Sequence, residues 1–433
     1  MNRLRAVTVG VAVLAVAVAI AHRVTRDPPP VAAPAPSAPV TPAPVVEAAP
    51  RWTADTIRDL QPAVPSHDDA VGKPIPAMKE FDEALLTLGA VVERWDGDPD
   101  NAWAIAHGVL ARGREFRLRN GLFGVDHLFA VYAEVHQVGS LNLPTFPAER
   151  GGVPVESHTD LILKNLTEIG VSPDAAFPIG EGKATAADLY RATLLRTYLR
   201  PEENASSYRD PNDMAWGVQA LAAWAPGPEL RWVATDGTLM DLDELAHFLL
   251  VVATKESKFM FDAARAGQKF ERSGQPLFGY TCGGAHLVQG ATYAIARGFG
   301  EPEDRKYATA QGSLLLYRLP IELAIYDDAM KKNRQHREKL LVQRMKFLGH
   351  WLETMSKLQI LGLFTPDEVQ MHSVEGAAQN LALTVAALAD LGTFDRIEAM
   401  KSEDPQLYLD VIGDAAHAIR GLELALGRQT LRW

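Results

Sequence analysis

Cysteine is almost missing from this chain: Cys282 is the only one among 433 residues. One thiol permits no internal disulfide and no cysteine-rich zinc module, so stability has to come from a core. An excess of positive charge is missing as well. With a net charge of -11, the chain has no overall basic field to attract a phosphate backbone, which excludes nucleic acid as a partner. Beyond Ala77 few stretches alternate apolar with polar residues, so a large half-buried sheet is excluded too. No complete catalytic motif stands in the sequence. What is abundant is apolar surface: 47% of the residues are hydrophobic, enough for a large buried core.

The amino end supplies an address. Arg3 and Arg5 precede an uncharged apolar run at 6–21, and His22, Arg23 and Arg26 follow it. The run is shorter than the roughly 20 residues of a full membrane span, and Ala19-Ile20-Ala21 has the small-x-small form of a cleavage site. Residues 1–24 read as a single-pass signal anchor in a bacterial inner membrane, with Arg3 and Arg5 inside and the rest of the chain in the periplasm. The alternative is a cleaved signal peptide that leaves the protein periplasmic or secreted. No cysteine follows the run, which excludes a lipoprotein. Residues 25–76 read as a linker. Within it, 28–50 reads PPPVAAPAPSAPVTPAPVVEAAP, where prolines remove backbone donors and hold the chain near polyproline II as a semi-rigid spacer.

Residues 77–433 read as one all-α domain, because their apolar residues recur at three and four. Asp98-Pro99-Asp100-Asn101-Ala102-Trp103 opens one helix with acidic caps and an early proline, and Asp210-Pro211-Asn212-Asp213-Met214-Ala215-Trp216 opens another in nearly the same words. A second phrase, a Gly turn followed by a helix start, recurs at Gly121, Gly182 and Gly237, a period of about 55–60 residues. Around Gly237 the flanks 231–234 and 238–240 suit a short hairpin. Further helices are expected at 242–266, 283–297, 306–330, 333–357, 374–391 and 407–426. Helical hairpins repeated in this way, each burying one face on the next, close into a ring or stack as an open α-solenoid.

The chemistry concentrates at 279–298, GYTCGGAHLVQGATYAIARG. If this segment is helical from Thr281 on, Cys282 and His286 share a face, as two metal ligands would, or a thiol beside its base, or an ordinary close-packed helix start. Gly283 and Gly284 are expected where that helix approaches its neighbours. His158, His286 and His372 lie near the first turn of successive helices, and His107 one turn into another. Together with Cys282, the residues His286, His158 and His372 could bind zinc. For acid–base catalysis the candidates are His286, His107 and the carboxylate of Glu256, which interrupts the apolar stretch 245–261; Glu375 is a further carboxylate of this kind. Trp103 and Trp216 read as core anchors, with sugar stacking as the alternative.

The segments NAWAIAHGVLA, CGGAHLVQGA and HSVEGAAQNLA resemble the inner helices of the α/α toroids found in terpenoid cyclases, protein prenyltransferase β subunits and lanthionine synthetase cyclases. The resemblance implies an α/α toroid whose inner helices surround a central cavity holding the site. None of those activities carries over. Asp241-Leu242-Asp243-Glu244 only mimics the cyclase acid motif, Tyr280 stands where the prenyltransferase zinc set has Asp, and the second cysteine of the lanthionine enzymes is missing. Two functions are therefore expected. The first is an exported, membrane-tethered binding or scaffold protein of the cell envelope, with a small-molecule, glycan or protein ligand. The alternative is a toroid-type enzyme, a lyase or hydrolase acting on an envelope glycan with or without a metal.

Overall fold

The computed structural model describes residues 52–64, 72–138 and 141–433. The leader at 1–24 and the proline-rich segment at 28–50 lie outside them. No helix among the described residues is long and apolar enough to cross a membrane.

Thirteen α-helices among the described residues carry the architecture: α1 Lys79–Val91, α2 Ala102–Arg112, α3 Gly124–His127, α4 Leu161–Glu168, α5 Ala186–Arg196, α6 Pro211–Ala223, α7 Leu242–Arg265, α8 Ala285–Ala296, α9 Asp304–Lys332, α10 Arg337–Ile360, α11 Glu368–Asp390, α12 Ile397–Glu403 and α13 Pro405–Ala425. The caps read from sequence do their work. The Asn101 carbonyl accepts from the Ala104 amide at 3.1 Å and the Asp210 carboxylate from the Asp213 amide at 2.9 Å, so each satisfies a helix-start donor that has no partner in its own turn. Helix α11 starts six residues before the expected 374, because Asp367 and Gln370 form a capping box.

Strands are confined to two-stranded antiparallel hairpins among the described residues. One pairs β1, Arg231–Val233, with β2, Leu239–Asp241, as expected around Gly237, whose φ of 88° suits the turn. The folded part begins earlier than residue 77. Ile57 and Leu60 are fully buried, and the Val233 amide donates to the Trp52 carbonyl at 2.9 Å. Thus 52–63, assigned to the linker by its position after the prolines, contributes core.

Six helices form the middle of the molecule. Helix α2 packs on α4, α4 on α6, α6 on α8, α8 on α10, α10 on α13, and α13 on α2. Helices α1, α5, α7, α9 and α11 pack against these from outside. The close approach of α8 to its neighbour runs through Gly290, where a β-carbon would collide with the Ala215 backbone of α6. Polar side chains stitch the helices together: Asn165 Nδ2 donates to the Ala106 carbonyl at 2.8 Å, and Asn212 Oδ1 accepts from the Leu287 amide at 3.2 Å. The second contact caps α8 from another helix, since Gly284 at its start has no side chain to do so.

The carboxyl end is tied across three of these helices. Gln429 Nε2 donates to the Ala111 carbonyl of α2 at 2.8 Å, Tyr293 Oη of α8 donates to the Arg432 carbonyl at 2.8 Å, and Arg420 Nη2 of α13 donates to the Thr430 carbonyl at 3.1 Å. Leu431, between those anchor points, is fully buried.

Candidate functional site

The site starts from a turn rather than a helix. Cys282, Gly283 and Gly284 have φ of 55°, 58° and 79°, all in the left-handed region that a helix from Thr281 would not visit. The expectation that Cys282 and His286 share a helical face is therefore corrected. Adjacent glycines let the chain turn left-handed without a β-carbon penalty, and Cys282 is carried into the same conformation. Gly283 and Gly284 serve this turn and also the close approach expected of them, since a β-carbon at Gly283 would meet the Arg318 guanidinium and one at Gly284 the Leu277 side chain, while Gly290 serves the approach of α8 to α6. Arg318 Nη1 of α9 donates to the Gly283 carbonyl at 3.2 Å and pins the turn.

Five imidazoles meet beside this turn: His107 from α2, His158 from the loop before α4, His286 from α8, His350 from α10 and His417 from α13. The His286 ring lies 4.9 Å from His158, 5.4 Å from His350 and 6.4 Å from His417, measured between centroids. The His350 and His417 rings stand 4.0 Å apart, and His107 is 5.4 Å from His417. Trp216 covers His286 at 4.4 Å and Trp103 covers His107 at 4.1 Å, so both tryptophans pack on histidines.

Burial holds His107, His286 and His350 well below the usual imidazole range, and it brings His158 down to about 4. These rings are neutral. His107 Nδ1 donates to the Trp103 carbonyl at 2.7 Å and His417 Nδ1 to Glu353 Oε2 at 2.8 Å. By contrast, neither ring nitrogen of His286 or His350 has a hydrogen-bond partner. His350 Nε2 stands 3.9 Å from Asp414 Oδ1 and its Nδ1 4.0 Å from Glu353 Oε2, beyond hydrogen-bond reach. Burial pushes the Asp414 carboxyl up to about 7 against the pull of Lys346, and pushes the Cys282 thiol up to about 12.

A second buried group adjoins the imidazoles. Lys357 Nζ sits between Glu168 Oε1 at 2.6 Å and Glu353 Oε1 at 2.7 Å, and donates to Gln289 Oε1 at 2.8 Å. Gln219 Nε2 donates to Glu168 at 2.6 Å, and Lys164 Nζ lies 3.2 Å from the other Glu168 oxygen. Burial would raise both carboxyls. Lys357 and His417 overcome it at Glu353, which lies well below the usual range, while Lys164, Lys357 and Arg420 bring Glu168 down to about 2.

A cavity of about 360 Å³ between α7, α8, α9, α10 and the turn opens onto His350. Cys282, His350, Thr354 and Lys346 form its inner wall, and Tyr280, Arg318 and Glu322 also line it. Two trios have donor atoms within 4.8 Å of one another and could hold a metal: Cys282, His286 and His350, and His350, Glu353 and His417.

Of the residues singled out in the sequence, Cys282, His286, His158 and His107 converge here. His372 does not. It is exposed on α11, a helix that packs against α1 and α10 from outside, because the earlier start of α11 moves His372 off the position assumed for it. Glu256 is half-buried on α7 beside Tyr280, apart from the imidazoles, and Glu375 on α11 accepts from Gln379 Nε2 at 3.2 Å. Sequence reasoning missed His350, Glu353, Lys357, Asp414 and His417. Their signal is a polar stripe inside apolar helices, with His350, Glu353 and Lys357 at helical spacing on α10 and Asp414, His417 and Arg420 on α13. No protein-family model, curated protein or solved structure matches the chain; the chemistry of the site follows from its own residues.

Proposed function

We propose that α2, α4, α6, α8, α10 and α13 close into an α/α toroid, and that its centre is the active site of an exported enzyme, a hydrolase or lyase acting on a glycan of the cell envelope. The closed order of neighbours, in which α13 returns to α2, supports the ring. The leader and proline-rich spacer support the envelope location from sequence alone.

The observation that carries the enzyme reading is the inner wall of the cavity. His350 is neutral and without a hydrogen-bond partner, faces about 360 Å³ of space, and is backed by the His417–Glu353 pair. A buried polar group left without a partner costs about 1–3 kcal/mol, so a fold that keeps one at a cavity wall has a use for it. Polar and aromatic groups share the cavity lining, among them Lys346, Thr354, Tyr280 and Phe347, which suits the hydroxyls and apolar ring faces of a sugar.

The test is turnover of envelope glycan fragments by purified protein, wild type against His350→Gln. Product from the wild type and none from a His350→Gln variant that melts normally is the expected result. A membrane-tethered binding or scaffold protein without chemistry is the second reading. The observation in its favour is the Lys357 bridge between Glu168 and Glu353, which locks α10 to α4 as a structural core would. Saturable glycan binding with no product would establish it.

A further inference from the structure

We propose that Cys282, His286 and His350 form a binding site for one zinc-class transition-metal ion, held at the inner wall of the cavity with one coordination position open to it. Metal binding here does not depend on the enzyme reading. Only the use of the open position rests on it.

Geometry carries the proposal. The Sγ of Cys282 and one ring nitrogen from each histidine all lie within 4.8 Å of one another. Zinc bonds of about 2.0–2.3 Å place tetrahedral ligands about 3.3–3.8 Å apart, so the three donors need to draw in by no more than roughly 1.5 Å. Both nitrogens of His286 and both of His350 lack hydrogen-bond partners, although His286 is 2% and His350 3% exposed. Two buried rings without a hydrogen bond, each bringing one nitrogen close to the other and to a thiol, are a ligand set rather than packing. The donor types select the ion: a thiolate with two imidazoles suits zinc and disfavours magnesium or calcium, which prefer oxygen.

The alternative trio is weaker. Glu353 is committed to Lys357 at 2.7 Å and to His417 Nδ1 at 2.8 Å, so its oxygens are occupied. The surroundings of the Cys–His–His set fit a metal. Asp414, 3.9 Å from His350 Nε2, and Glu353, 4.0 Å from its Nδ1, face the two sides of the ring, so the nitrogen turned away from the metal has a carboxylate near it. Cys282 and His350 both line the cavity, so three protein ligands leave a fourth position facing it. That is the open arrangement in which zinc polarises a bound ligand or water.

The experiment is equilibrium dialysis of the full chain against micromolar zinc, with metal per chain measured by atomic emission. One ion per chain is expected. Cys282→Ser, His286→Gln and His350→Gln should each lower the affinity by more than about 100-fold, beyond the roughly 10–100-fold typical of outer-shell losses, while His372→Gln binds as the wild type does. Cobalt loading should give a thiolate-to-metal charge-transfer band that Cys282→Ser lacks, and zinc should slow alkylation of Cys282 in the wild type. Helical circular dichroism identifies any variant that fails to fold, and the alkylation measurement on wild-type protein then decides alone. Folded wild type that takes up no zinc, unchanged affinity in Cys282→Ser, or alkylation indifferent to zinc would overturn the site. Glycan turnover by metal-free protein would remove the metal from the reaction and leave the enzyme reading standing; zinc bound without turnover would do the reverse.

Discussion

Two groups of polar side chains share the middle of the helical domain, equally buried, one knit by ion pairs and the other without them. Around Lys357 the charges are paired: each carboxylate meets an ammonium, and Gln219 and Gln289 take up further hydrogen-bonding positions. Around His350 the rings touch one another, yet His286 and His350 donate to nothing and accept from nothing. The paired group behaves as structure, because removing one member strands the others. The unpaired group contributes little to holding the helices together and leaves its donors to something that enters. Burial is the same in both, and single atoms around Lys357 also lack a hydrogen bond, Lys164 Nζ and Glu168 Oε2 among them; charge pairing, present in one group and absent in the other, separates a core from a site.

That contrast breaks most sharply at Lys357. Lys357→Met leaves Glu168 and Glu353 buried without their shared cation, and should cost about 3–5 kcal/mol, read from the urea midpoint. An unchanged midpoint would mean that the pairing carries no stability.

Acid should dismantle the two groups in sequence. Buried neutral histidines have lowered pKa values, so their contribution is complete above about pH 6.5 and is lost as the pH falls; for His158 the loss runs down to about 4. Glu168 is lowered from 4.5 to about 2, so its contribution is full above pH 4.5 and is lost between there and about 2, on the order of 3 kcal/mol or less. Stability measured against pH should fall in two windows, and Glu168→Gln should shrink only the more acidic one, which Glu353 shares.

His286→Phe replaces one ring by another where no hydrogen bond is lost. It should change stability by less than about 1.5 kcal/mol while abolishing zinc uptake. A loss as large as that of Lys357→Met would move His286 into the structural group. The smallest effect belongs to His372→Ala, exposed on α11, which should stay within about 0.5 kcal/mol in thermal unfolding and leave both groups intact.

Helices were the legible part of the fold. Periodicity and caps placed α7 and α13 to within one or two residues, and the Asp-Pro openings at 98 and 210 marked two of the central helices. Local backbone conformation was less legible: a Cys-Gly-Gly string reads equally as a helix start or as a left-handed turn, and only contacts such as Arg318 to the Gly283 carbonyl decide between them. At the site, the histidines beside small residues stood out, because helix starts are visible in sequence. His350 and His417 did not, since they lie inside long helices whose inward face is set by packing with residues far away in the chain. The same limit explains His372, whose sequence neighbourhood resembles that of His286 but whose helix packs from outside.

The tied carboxyl end has a consequence for the order of events during synthesis. Helix α13 and residues 429–432 are made after the other central helices, and they complete contacts with α2, made some 300 residues earlier. Until they arrive, Glu168, Lys357 and the imidazoles of α8 and α10 still face water, where their charges are hydrated at no cost. The nascent chain is thus spared a buried, half-paired polar centre, and the desolvation falls in one late step that brings α13 onto α2. Contacts of such long sequence separation form slowly, so a chain stopped a few residues short of Trp433 would stay open and hydrated at its centre rather than collapse around mispaired charge.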